Sequence, residues 1–352
     1  MFPTKAYAAL QERENLQSYM IERRAVGKDD VQIEIDYCGV CHTDLHFVNN
    51  DWGWSGFPVV PGHEIIGHVK SIGEDVKKYK IGDRVAVGVM VDSCGNCQSC
   101  ENDLQQYCMS GMGPGGVVMT YGSPTEDPGG VTFGGYSKQI ICKESFTLKV
   151  PENLELSRAA PLVCAGITTY SPLKTWKVGS GQKVGIIGLG GLGHMGVKFA
   201  KALGANVSVI TTSANKINDA KKIGADEVII SNNSEDLIKY AGQFDFLLDT
   251  IPISHSVDPF LGLLKIDGTI CLVGSPDPIE SVSTLGLWIG RKRISGSAIG
   301  GIRETQEMLD FCGKNNVVAD VEVIPINQIN DAFKRMQSND IKYRFVIDMS
   351  TL

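Results

Sequence analysis

No apolar run in this 352-residue sequence reaches the length of a membrane-spanning helix, and no segment repeats. The opening stretch MFPTKAYAALQEREN lacks the apolar core of a secretory signal. Positive charge is in deficit: 33 Lys and Arg against 40 Asp and Glu leave a formal net charge of -7. A nucleic-acid-binding surface would need the opposite balance. Histidine is scarce, at six residues. These absences exclude a membrane span, argue against a nucleic-acid partner and lead us to expect a cytoplasmic protein. What is left, 43% hydrophobic and 21% charged residues, is the composition of a globular chain long enough for two ordinary domains.

Cysteine, by contrast, is plentiful, and in a reducing compartment ten cysteines point to metal rather than to disulfides. Four of them, Cys94, Cys97, Cys100 and Cys108, are spaced C-x2-C-x2-C-x7-C in VDSCGNCQSCENDLQQYC. The turns between them are short enough to bring four thiolates round one tetrahedral Zn2+. The alternative is a set of free or disulfide-bonded thiols, but such crowding rarely serves packing. A closed four-sulfur site has no place for a substrate, so it is read as a structural staple. Four histidines, His42, His46, His63 and His68, lie just before it. An open, catalytic zinc takes three or four N, S or O ligands. Cys41, His63 and Glu64 supply one of each, and Cys164 in PLVCAGITTY is best placed to add a second sulfur. Cys38, Cys142, Cys271 and Cys312 sit in apolar runs and are expected to be buried free thiols. His68 is expected to be structural, His194 to open a helix and His255 to lie on the surface.

The chain changes character near residue 157. Before it, short alternating strands such as VQIEIDYCGV are broken by Gly, Pro and Asn, which gives a β-rich domain. The glycine-rich stretch 111–135 reads as a long functional loop. SRAAPLVCAGITTYSPLKTW reads as helical in parts, with Pro161 and Pro172 as breakers. From residue 183 strands alternate with helices, the pattern of a parallel sheet of βαβ units. After about residue 295 two amphipathic helices and a closing strand, KYRFVIDM, leave that pattern.

Gly188, Gly190 and Gly193 form G-x-G-x-x-G directly after the apolar strand KVGIIG, with Leu189, Gly191 and Leu192 completing the turn. Strand, turn and helix in that order favour a dinucleotide pyrophosphate over an empty glycine turn. An NAD site would place an acid at the end of the second strand to bind the ribose 2'-hydroxyl. Here that position reads VSVITTSANK. Thr211, Thr212, Ser213 and Lys216 offer hydroxyls and an ammonium that can receive a 2'-phosphate, so NADP(H) is favoured over NAD(H).

These residues together resemble one family. GHE-x2-G-x5-G-x2-V, from Gly62 to Val76, is similar to the zinc signature of the medium-chain alcohol dehydrogenases at every fixed position. CGVCHTDLH, PLVCAGIT and TTSANK look most like its cinnamyl alcohol dehydrogenase branch, whose members prefer NADP(H). The resemblance implies an α/β protein with a GroES-like, β-rich catalytic domain (1–157 and 296–352, zinc lobe about 92–110). A Rossmann domain with a doubly wound parallel sheet (158–295) is inserted into it. It implies two zinc ions per chain and hydride transfer between NADP(H) and aromatic or medium-chain alcohols and aldehydes. Residue by residue it makes Cys41, His63 and Cys164 catalytic zinc ligands and Glu64 an alternative ligand. Thr43 becomes the hydroxyl that bonds the substrate oxygen, His46 the far end of the proton relay and Asp51 its support. His42, Thr168, Thr250, Gly274, Ser297, Ala298 and Ile299 match cofactor-contacting positions. Ile299 stands where plant members carry an aromatic, which argues against specificity for lignin precursors. Trp52, Trp54 and Phe57 either line a pocket or pack in the core. The apolar edge segment 281–298 suggests a homodimer. An NAD(H)-dependent alcohol or polyol dehydrogenase is the alternative within the class; a non-catalytic zinc-binding interaction protein would leave GHE, Thr43 and His46 without purpose.

Overall fold

The computed structural model describes residues 1–274, 277–338 and 340–352. The chain folds as two compact units, one of residues 1–164 and 300–352 and the other of 165–299. Sequence patterning places the divisions at 157/158 and 295/296. Residues 158–164 fall in the first unit because the short helix Leu156–Ala159 and the 3-10 turn Ala160–Val163 pack on the strands Asp30–Gly39 and Ile65–Ile72.

The first unit is built on a seven-stranded sheet. Its main path runs Val321–Pro325, Arg344–Asp348, Asp30–Gly39, Ile65–Ile72, Arg84–Val87 and Leu148–Lys149, and Gln139–Lys143 also pairs with Asp30–Gly39. The central strand shows the period of two that one buried face demands: Val31, Ile33 and Ile35 are buried while Glu34 is exposed. The strand from the C-terminus, Arg344–Asp348, pairs antiparallel with Tyr37–Gly39. That pairing brings the two ends of the chain into one sheet and sets Arg344 a few residues from Cys41. The helices Ile302–Asn315 and Ile329–Gln337 each bury residues at i, i+3, i+4 and i+7, for example Ile329, Ala332, Phe333 and Met336.

The second unit holds a six-stranded, wholly parallel sheet. Its order is Glu227–Ile230, Asn206–Thr211, Lys183–Ile187, Phe244–Asp249, Leu264–Leu272, Arg293–Gly296. This is the expected doubly wound Rossmann sheet. Its inner strands, such as Phe244–Asp249, are buried along almost their whole length, as strands covered on both faces must be. Strand order reverses between Lys183–Ile187 and Phe244–Asp249, so a crevice opens at their carboxyl ends. Pro172 does not break its helix, which runs unbroken over Ala165–Thr175. Residues 165–173 are all buried and Tyr170 packs edge-on against Phe199, so burial outweighs the one lost backbone bond, a cost of about 3 kcal/mol.

Candidate active site

In the first unit the helix His42–Asn49 starts from Cys41 as its N-cap. The carboxylate of Asp44, at the third helical position, accepts the Cys41 N–H at 2.9 Å and so fixes where the Cys41 sulfur points. The sulfurs of Cys41 and Cys164, a nitrogen of His63 and a carboxylate oxygen of Glu64 all lie within 4.8 Å of one another. His63 Nε2 is 3.2 Å from Cys164 Sγ. His63 and Glu64 are buried at the entry to the strand Ile65–Ile72, and Cys164 is buried at the end of the first unit's N-terminal segment.

Around this group lies a second layer that sequence reading missed. Asp44 is fully buried and accepts from the Gly62 N–H (3.1 Å), the Tyr121 hydroxyl (2.7 Å) and the Tyr136 hydroxyl (3.0 Å). His63 Nδ1 stands 3.3 Å from the same carboxylate, and the Tyr121 ring stacks on the imidazole. A carboxylate at Nδ1 leaves Nε2 to serve as the ligand atom, the usual outer-shell arrangement of a metal histidine. Arg344 pairs with Glu64 Oε1, and both are buried. Burial pushes the Glu64 carboxyl up to about 7 even with the Arg344 guanidinium beside it. A hydrogen bond from Cys164 leads the effects that hold the Cys41 thiol well below its ordinary value. Asp44 was legible in principle, as an acid three residues after a helix cap. Arg344 was not, since 280 residues separate it from Glu64 and only the sheet pairing joins them.

The donor set suits zinc. Two sulfurs, an imidazole and a carboxylate are the soft-to-borderline ligands of that ion and not those of magnesium or calcium. Glu64 Oε2 is buried without a hydrogen-bond partner, an atom that a cation would satisfy. The other four cysteines also converge. Cys94, Cys97, Cys100 and Cys108 have sulfurs within 4.8 Å of one another. Cys94 and Cys100 are 3.8 Å apart and Cys97 and Cys108 are 4.0 Å apart, far beyond a disulfide bond. All ten cysteines are free, and Cys38, Cys142, Cys271 and Cys312 are buried.

Thr43 Oγ1 lies 3.6 Å from Cys41 Sγ, one helical turn from His46. Asn50 adopts the left-handed conformation and turns the chain back, so that Asp51 Oδ2 meets His46 Nδ1 at 2.8 Å. Trp52, Trp54, Phe47 and Tyr121 form a chain of ring contacts of 4.9–5.8 Å beside this helix, with Trp54 more than half exposed. Phe57 is partly buried and His42 is exposed at the first helical position. His68 pairs with Asp36 away from this cluster.

In the second unit the glycine turn divides its labour. Gly188 takes a left-handed φ of 89°, and a Cβ on Gly193 would strike Gly188 O at 2.2 Å. A Cβ on Gly190 would meet nothing within 4 Å, which leaves the backbone there open to a phosphate. Leu189, Gly191 and Leu192 complete the turn, and Thr250 binds Ile187 O at 2.7 Å against it. Lys216 reaches across to Leu189 O at 3.1 Å, and Thr212 is exposed near it in sequence. Thr211 is buried at the end of its strand, and its hydroxyl accepts the Ser213 N–H at 3.2 Å. Thr168 is buried in the helix Ala165–Thr175, and Gly274 packs so closely on Ile251 O that a Cβ would meet it at 2.2 Å. Ser297 donates to Leu272 O at 3.2 Å, Ala298 is exposed, and Ile299 holds a left-handed φ of 40°, a strained value for a β-branched residue. His194 is fully buried. His255 is partly buried rather than fully on the surface: its side chain is 19% exposed and is paired with the buried Asp249.

Two family models match the chain: an alcohol dehydrogenase GroES-like domain over residues 27–152 and a zinc-binding dehydrogenase over residues 191–314. The chain is 50% identical over 350 residues to the aldehyde reductase YahK of Escherichia coli K12, covering 99% of each protein. Among solved structures it is similar to a cinnamyl alcohol dehydrogenase of Sorghum bicolor (TM-score 0.94, 39% identity, 99% of this chain and 98% of that one). It is also similar to a cinnamyl alcohol dehydrogenase of Helicobacter pylori complexed with NADP(H) (TM-score 0.89, 38% identity, 99% and 98%).

Proposed function

The chain belongs to the zinc-dependent medium-chain alcohol dehydrogenases, in their cinnamyl alcohol dehydrogenase branch, and from that premise we infer that it is an NADP(H)-dependent alcohol dehydrogenase and aldehyde reductase. It transfers hydride between NADP(H) and primary alcohols or aldehydes, aromatic and medium-chain. The observation that carries this reading is the convergence of Cys41, His63, Glu64 and Cys164 within 4.8 Å, beside a threonine and a carboxylate-bound histidine.

Cys41, His63 and Cys164 would hold one zinc ion, with Glu64 as the ligand in reserve, and Cys94, Cys97, Cys100 and Cys108 would hold the second. Zinc at the first site supplies Lewis acidity toward the substrate oxygen without changing its own oxidation state. NADP(H) supplies or accepts the hydride. The chain does the rest. Thr43 hydrogen-bonds the substrate oxygen and passes its proton outward during oxidation. His46 is the outer acid or base, oriented by Asp51. Asp44 fixes the His63 tautomer, and Arg344 balances the charge on Glu64. Trp52, Trp54 and Phe47 give the substrate an apolar wall broad enough for aromatic side groups. In the second unit Gly188, Gly190 and Gly193 hold the pyrophosphate, and Thr211, Thr212, Ser213 and Lys216 receive the 2'-phosphate. Thr168, Thr250, Gly274, Ser297, Ala298 and Ile299 line the same cofactor.

The same reading makes the protein a cytoplasmic homodimer that acts on small molecules, with a catalytic domain of 1–157 and 296–352 and a cofactor domain of 158–295. Among the described residues no helix is long and apolar enough to cross a membrane. The strand Arg293–Gly296 is an edge of the parallel sheet, and Leu285, Trp288 and Ile289 just before it are more than half exposed. An apolar edge of that kind calls for a partner strand. Initial rates of benzaldehyde reduction with NADPH and with NADH test the function. A strong preference for NADPH is expected. Equal or better rates with NADH overturn the cofactor assignment, and no reaction with either by zinc-loaded protein overturns the substrate class in favour of polyols or other secondary alcohols.

A further inference from the structure

Asp249 ends the strand Phe244–Asp249 on the far side of the reversal in strand order, in register with Ile187. The turn that follows it carries Thr250, whose hydroxyl a Cβ on Gly188 would meet at 2.9 Å and one on Gly193 at 3.2 Å. Thr250 and the start of Ile251 therefore lie against the glycine turn at the carboxyl ends of the strands, where open α/β sheets take their ligands. Beside them is a cleft, open to solvent, lined by Ile251, Ile253 and Leu272 and by Asp249, His255 and Asp277.

This turn is closed on itself by one side chain. Asp249 Oδ1 accepts the Ile251 N–H at 3.0 Å. Asp249 Oδ2 lies 2.7 Å from His255 Nε2, and His255 Nδ1 lies 2.8 Å from Ile253 O. The backbone of His255 also accepts the Glu280 N–H at 3.0 Å, which ties the turn to the next loop. With Asp249 ionised, both ring nitrogens face acceptors and both donate, which makes the ring an imidazolium paired with the carboxylate; burial raises the Asp249 carboxyl as well. Burial pulls the His255 pKa down, and the Ile253 carbonyl and Asp249 outweigh it, leaving it above the ordinary value. Charge-assisted bonds of this kind are about twice as strong as neutral ones. No metal-ligand set identified above includes either residue.

We propose that His255 is a positioning residue for the dinucleotide: bridging Asp249 and Ile253 O, it holds the Thr250–Ile253 turn in place as one wall of the cofactor crevice. The proposal rests on the cofactor reading given above. It differs from a merely structural role, because releasing the turn should weaken cofactor binding and leave the chemistry at the metal alone.

The test is a fluorescence titration of the zinc-loaded enzyme with NADPH and with NADH, together with steady-state kinetics. In His255→Asn the amide can reach only the Nδ1 position and loses Asp249. Its Kd and KM for the cofactor should rise about tenfold, with kcat at saturating cofactor within about twofold of wild type and zinc content unchanged. In His255→Gln the amide nitrogen takes the Nε2 position, and binding should recover to within about threefold of wild type. Asp249→Asn should weaken binding like His255→Asn, and the double variant should be no worse than the single ones, because the two side chains act as one unit. A wild-type Kd in His255→Asn overturns the proposal, as does a lowered melting temperature with cofactor binding intact. If His255→Asn does not fold, wild-type Kd values in both His255→Gln and Asp249→Asn also overturn it. Wild-type protein that binds neither cofactor overturns the cofactor reading itself, and this proposal with it.

Discussion

Asp44→Asn changes one buried atom and should loosen the catalytic metal. Asp44 accepts four hydrogen bonds: Oδ1 from the Gly62 N–H and the Tyr121 hydroxyl, Oδ2 from the Cys41 N–H and the Tyr136 hydroxyl. An asparagine must put its NH2 on one of those two sides. Either way it faces a backbone N–H that can only donate, even if the tyrosine turns to accept. One charge-assisted bond is lost and one buried N–H is orphaned, at a combined cost of about 2–4 kcal/mol. The orphaned group belongs either to the ligand Cys41 itself or to the residue before His63, and His63 Nδ1 loses its anionic neighbour at 3.3 Å. The damage therefore falls on the ligands. Outer-shell partners of metal histidines are worth about 10–100-fold in affinity, and the upper end of that range fits the cost just given. The assay is the rate of zinc capture by a chromogenic chelator. The four-cysteine site serves as an internal reference, because Asp44 does not touch it. Faster release of one zinc of the two is expected, with the second unchanged. Two zinc ions released at wild-type rates, from a variant with wild-type kcat, would refute the reasoning.

Other outcomes follow from the same geometry. His46→Gln should lower kcat by about 100-fold while both zinc ions stay bound; loss of zinc would instead make His46 a ligand. Cys100→Ser removes the most buried cysteine of the four-cysteine lobe, so zinc content should fall from two to one per chain and proteolysis within 92–110 should accelerate. A variant that keeps two zinc ions would show that the lobe is not a metal site. Lys216→Ala should raise KM for NADPH about tenfold and leave KM for NADH within about twofold, the mark of a lost contact to a 2'-phosphate. Equal changes for both cofactors would place Lys216 at the pyrophosphate or the turn itself.

What could be read in advance was whatever is coded by short-range spacing. C-x2-C-x2-C-x7-C, GHE and G-x-G-x-x-G each need a local turn or strand end and little else, and each is where the spacing put it. The parallel sheet was equally legible, because strands buried on both faces leave unbroken apolar runs such as FDFLLD. Side-chain partners across long separations were not. Arg344 is found beside Glu64 only because the last strand pairs with the strand that leads into Cys41, a register that nothing near residue 344 encodes. The local bond of Thr211 was not legible either: its hydroxyl, next to a turn, takes the backbone N–H closest to hand. Pro172 failed because propensity is a weak prior inside a helix buried on all sides.

His255 is the most instructive of these cases. A lone histidine after Pro-Ile-Ser reads as a polar loop residue, and polar loop residues are usually exposed. The fold draws it partly inward by ending a buried strand on an acid. Asp249 is 1% exposed, and a carboxylate there needs a counter-charge from within reach of its own turn. Six residues on, the first side chain able to supply one is His255. The general lesson is a physical one: an acid at the carboxyl end of a fully apolar parallel strand is itself a signal, and the next cation or histidine along the chain is the residue to examine.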